Sequence, residues 1–80
     1  MPYIKHDARV RLANTIAPAD TGELNYILTG VVNEYFYRKG HHYKTINDIL
    51  GALEGAKLEF YRRVVAPYED TKIKENGDVY

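Results

Sequence analysis

Eighty residues with 11 basic and 11 acidic side chains make a small, formally neutral chain. Neutrality argues against a general affinity for nucleic acid, which rests on many neutralised phosphates, and the absence of cysteine excludes disulfides and thiolate metal sites. Serine, glutamine and tryptophan are missing too, so nucleophilic catalysis through Ser or Cys is excluded, while tyrosine occurs eight times.

A chain this short hides only about 60% of its unfolded surface, so its core is marginal. Without disulfides or metals, self-association is the expected supplement. One domain over residues 1–80 is expected. No apolar run nears the roughly 20 residues that span a bilayer. Met1-Pro2-Tyr3-Ile4-Lys5 lacks the apolar stretch of a signal peptide. A soluble, cytoplasmic protein without cofactor is expected.

In chain order, residues 1–6 read as extended, since Pro2 removes a donor and Tyr3-Ile4 favours β or irregular structure. Asp7 caps a short helix over about 7–16, with Ala8, Leu12, Ala13 and Ile16 as its apolar positions. Ala17-Pro18-Ala19 stops it. Asp20 and Glu23 then have capping-box spacing. They open a helix over about 21–39 with a regular stripe: Leu24, Ile27, Leu28, Val31, Val32, Tyr35 and Phe36. Glu34 and Arg38 are spaced to pair. Gly40 suits the position just past the helix end.

Thr45 and Asp48 again resemble a cap, and a third helix is expected over about 46–66. Its apolar face is wide: Ile46, Ile49, Leu50, Leu53, Ala56, Phe60 and Val64, with Leu58, Tyr61 and Val65 beside it. So wide a face wants more than one neighbour. Gly51 and Gly55, four apart, imply a close backbone approach, either within the chain or between subunits. Ala66-Pro67 is expected to end the helix. Asn76-Gly77, between short β-capable segments, predicts a small hairpin over about 72–80. The fold class is therefore mainly α: three helices, the second and third an antiparallel pair, with a possible C-terminal β-hairpin.

The residues that carry chemistry narrow the function. His6, His41 and His42 do not have metal-ligand spacing and read as solvent-facing. Glu54 and Glu59 are five apart and diverge by about 140° on a helix. A magnesium site needs converging carboxylates, so a metal-dependent nucleotide hydrolase is the weakest alternative. Two aromatic-basic clusters remain. One is Tyr35-Phe36-Tyr37-Arg38-Lys39, followed by His41-His42-Tyr43-Lys44; the other is Tyr61-Arg62-Arg63. Arginine grips phosphate through a planar fork, and tyrosine offers a stacking face. The competing explanation is ordinary: charged helix ends, with Arg62 or Arg63 paired to Glu59.

The runs Gly22-Glu23-Leu24-Asn25-Tyr26, Ile46-Asn47-Asp48 with Gly51-Ala52-Leu53-Glu54, and Glu59 to Asp70 followed by Glu75 to Tyr80 support a wider comparison. They resemble a family of small uncharacterised proteins of bacteriophages and prokaryotes. The resemblance implies a phage-type accessory protein, in the host cytoplasm if phage-encoded, and carries no catalytic residue over to this chain.

The expected function is a non-catalytic binding protein, a homo-oligomer that takes a phosphate-bearing small molecule such as a nucleotide signal. Arg62, Arg63, Arg38 and Lys39 would hold phosphates; Tyr61, Tyr37, Tyr43 and Tyr26 would stack or hydrogen-bond. The leading alternative is a protein-protein inhibitor or adaptor that covers a host protein with tyrosine-rich faces.

Overall fold

The computed structural model describes residues 5–11 and 17–80. Helix α1 is His6–Arg11, with the Asp7 carboxylate accepting from the Ala8 amide at 2.9 Å. The expected extension of this helix to residue 16, and the extended start at 1–4, lie outside the described residues.

Helix α2 is Thr21–Lys39. Its start is a reciprocal cap. Asp20 Oδ1 accepts from the Glu23 amide at 2.8 Å, and Glu23 Oε1 accepts from the Ala19 amide at 2.9 Å. The return bond therefore falls one residue ahead of the usual capping-box position. Of the expected stripe, Ile27, Val32, Tyr35 and Phe36 are half-buried, while Leu24, Leu28 and Val31 are exposed, as are Tyr26 and Tyr37. Gly40 closes the helix by donating to the Phe36 carbonyl at 3.0 Å. Glycine is required there. Its φ is +108°, and a Cβ would lie 2.6 Å from Nε2 of His42.

Helix α3 is Tyr43–Phe60. It starts three residues before the expected Ile46, so Thr45 sits inside its first turn instead of capping it. Thr45, at 6% exposure, is the one buried side chain among the described residues. Asp48 pairs with Lys44 at 2.9 Å instead of completing a cap. A π-helical turn, Tyr61–Val65, follows α3 directly and leads into α4, Ala66–Asn76.

Pro67 therefore does not end the helix, contrary to the sequence expectation. In an α-helix, proline lacks the donor and its ring collides with the carbonyl four residues back. Here the wider turn absorbs that conflict. The Ala66 amide reaches back five residues to the Tyr61 carbonyl, and Pro67 falls in the first turn of α4, where its missing N–H is not needed.

The expected hairpin over 72–80 is also overturned. Residues 72–76 are helical, and Gly77, at φ +84°, donates to the Ile73 carbonyl at 2.7 Å. Asn-Gly acts as a helix stop, a role its conformational freedom serves as well as a hairpin turn. No strand occurs among the described residues.

Two compact units are distinguished, one ending at Ile49 and one running from Leu50 to Tyr80. Among the described residues no hydrophobic side chain is buried. The expected antiparallel pairing of 21–39 with 46–66 finds no support. Leu24, Leu28 and Val31 of α2 are exposed, and so are Leu50, Leu53 and Phe60 of α3. A stripe states which face wants cover; it does not state what covers it. No helix among the described residues is long and apolar enough to cross a membrane.

Candidate functional site

The unit ending at Ile49 carries the first aromatic-basic cluster, around the end of α2. Tyr35 lies three residues before Arg38 and four before Lys39, so both cations share its helical face. The Arg38 guanidinium carbon is 5.6 Å, and the Lys39 ammonium 5.9 Å, from the Tyr35 ring centre. Arg38 also forms the expected pair with Glu34, Nε to Oε1 at 3.0 Å. The turn at Gly40 brings His41 back onto the helix. Its ring stacks on Phe36 at 4.3 Å, with the planes 2° apart, and Tyr37 meets it edge-on at 5.7 Å. Lys44 is held above its usual pKa, first by its hydrogen bond to Asp48 and then by that carboxylate's charge.

Tyr37 and Tyr43 are 81% and 83% exposed, and Tyr26 is 80% exposed. Tyr26 lies eleven positions before Tyr37 in α2. That spacing returns to nearly the same side of a helix about 16 Å further along its axis. The expected set is thus split: Tyr37, Arg38 and Lys39 gather at one end of α2, and Tyr26 stands apart. Sequence reasoning left out Tyr35, Phe36 and His41 as site residues. The spacing of Tyr35 to Arg38 and Lys39 was visible; the return of His41 over Phe36 depends on the Gly40 backbone.

The unit Leu50–Tyr80 carries the second cluster. Glu59 accepts from Arg63 Nε at 2.9 Å and from Arg62 Nη2 at 3.2 Å. The Arg63 hydrogen bond, helped by Arg62, holds its carboxyl below the usual range. Both arginines therefore have the pairing that the ordinary explanation foresaw. Tyr61 donates from its phenol to Glu69 Oε1 at 2.7 Å, and this bond, followed by the charge on Glu69, raises its pKa. The Tyr68 ring lies 5.5 Å from the Lys72 ammonium.

The remaining carboxylates do not gather. Glu54 lies 3.8 Å from Lys57, and Lys72 lies 3.5 Å from Glu75. Among the described residues no group of three or more His, Asp or Glu stands where it could hold a metal ion. A shallow groove runs between α4 and the tail, lined by Glu69, Lys72, Ile73, Asn76, Val79 and Tyr80.

Both searches for relatives, one among curated proteins and one among solved structures, return no match. A family model described as Domain of unknown function (DUF6899) matches residues 1–79, and the chain belongs to that family.

Proposed function

We propose that this is a non-catalytic binding protein that recognises another protein through the outward Tyr26 and Tyr37 of α2 and Tyr43 at the start of α3. The observation that carries this is the exposure of Tyr26, Tyr37 and Tyr43, each at 80% or more. Tyrosine joins a large apolar body to a polar tip and is enriched at protein interfaces. Tyr26 and Tyr37 are separated by about 16 Å along one side of the helix. That span suits an extended surface better than one small molecule. In the phage-type setting that the family resemblance implies, the partner is a host protein, and the chain acts as an inhibitor or adaptor.

A second reading rests on the end of α2. Two cations flank Tyr35, and the Phe36–His41 stack lies in the same segment. This composition suits a phosphate-bearing aromatic molecule, such as a nucleotide signal. Arg62 and Arg63 serve that reading less well, because Glu59 already engages both. The hydrolase reading has least support, since Glu54 pairs with Lys57 and Glu59 with Arg62 and Arg63.

The experiment is affinity purification from host lysate with the native chain and with a Tyr26→Ala/Tyr37→Ala variant, beside calorimetry against mono-, di- and cyclic nucleotides. The proposal expects a stoichiometric protein partner that is lost with the variant while helicity is unchanged. Heat from a nucleotide, with no protein retained, would reverse the order of the two readings. A partner retained equally by the variant would remove the tyrosines from the site.

A further inference from the structure

The unit Leu50–Tyr80 holds an apolar seam distinct from the tyrosine face. Leu50, Leu53, Phe60 and Val64 are from 42% to 61% exposed, on α3 and the π turn. With Lys57 they follow the spacing three, four, three, four, and Ile46 precedes Leu50 by four. From Ile46 to Phe60 that is the 3.5-residue repeat of two helices wound on each other, whose members stay against the partner helix; Val64 follows in the wider turn.

We infer that the occupant of this seam is the same seam of a second copy, running antiparallel. Three observations select it. The first is the repeat itself, which fits a helix better than a strand or loop. The second is charge. Glu54–Lys57 and Glu59–Arg62/Arg63 pair within the helix, so two acids against three bases leave a single positive charge over residues 50–64, too little to steer a nucleic acid or an anionic lipid surface. Identical copies meet without a large like-charge cost. The third is area. Leu50, Leu53, Phe60 and Val64 keep from 42% to 61% of their surface open along one face, contributing an apolar strip toward the ~800 Å² per partner of a standard stable interface.

Lys57 sets the direction. It is the one charged residue at a seam position between Leu50 and Val64. A lone polar residue at such a position selects register and partner number at a cost in stability. Parallel copies in register would place Lys57 against Lys57. Antiparallel copies, crossing near Gly55, place each Lys57 beside the other copy's Leu53–Glu54 turn, where a carboxylate is available. Gly51 and Gly55 lie on the outer side of this arrangement, consistent with the open space that a Cβ at either would meet. The small-residue strip is therefore not the seam.

The test is sedimentation equilibrium of the full chain across micromolar concentrations, followed by dipolar spectroscopy on a Lys44→Cys spin-labelled variant. The chain has no natural cysteine, so the label is unique. A dimer is expected, with labels separated by roughly 30 Å, twice the rise from Lys44 to the crossing. Phe60→Glu is expected to weaken association at least tenfold. Lys57→Leu, which keeps an apolar seam and does not depend on a weakened fold, is expected to tighten association or raise the partner number. A monomer at every concentration overturns the inference. So does a monomer whose 50–64 amides are protected from exchange, which would assign the seam to the chain's own N-terminal part. Labels at about 10–15 Å, the separation of helices side by side in register, overturn the antiparallel direction. Each outcome is independent of the tyrosine-face reading.

Discussion

The phenol of Tyr61 donates a 2.7 Å hydrogen bond to the carboxylate of Glu69, eight residues later. In a regular α-helix, eight residues place two side chains about 80° apart. The π turn winds more slowly, and eight residues there amount to about two full turns. The same widening carries the helix past Pro67. One local irregularity therefore accommodates the proline and aligns the Tyr61–Glu69 contact.

Glu69 raises the pKa of Tyr61, so the contact contributes stability fully below the ordinary tyrosine value of about 10 and loses it as the pH rises through the raised value. Spectrophotometric titration should show a late-ionising tyrosine component assigned to Tyr61. Glu69→Gln should abolish the delay. A titration that Glu69→Gln leaves unchanged would disprove the assignment.

At the acid end, the sign is reversed. The arginines depress the Glu59 pKa, so its contribution is present above about pH 4.3 and is lost as the pH falls through the depressed value. Helicity followed by circular dichroism should fall less with acid in Glu59→Gln than in the native chain, because that variant has already lost the pair.

Pro67→Ala removes the cause of the wide turn. Helicity should rise, with a gain no greater than the roughly 3 kcal/mol that an interior proline costs. The late-titrating tyrosine should disappear, since regular winding carries Glu69 away from Tyr61. Higher helicity with the delay intact would show that the turn does not depend on proline.

Gly40→Ala should be destabilising by about 1–2 kcal/mol, the cost of placing a side chain in left-handed backbone, before the contact with His42 is added. Thermal unfolding measures it. An unchanged midpoint would mean that the turn relaxes freely.

Asp20→Ala should cost about 1 kcal/mol through loss of the cap to the Glu23 amide. The change should appear as fraying of α2 in amide exchange at residues 21–24. Protection unaltered at those amides would mean that the cap contributes nothing.

The chain's local signals determined much of this protein. Asp20 and Glu23 marked the start of α2 and Gly40 its end, because caps act over three or four residues; of the stripe from Leu24 to Phe36, only Ile27, Val32, Tyr35 and Phe36 are half-buried. The pairing of Glu59 with its arginines was equally visible. Pro67 and Asn76-Gly77 misled because each is compatible with two local outcomes. Proline stops an α-helix but is accommodated beyond a π turn, and Asn-Gly serves a hairpin or a helix end. The choice between them lies in hydrogen bonds that reach five residues back, or to Ile73, and no single residue announces those. The stacking of His41 on Phe36 and the alignment of Tyr61 with Glu69 belong to the same class: both depend on the path of the intervening backbone, which the three-dimensional structure decided.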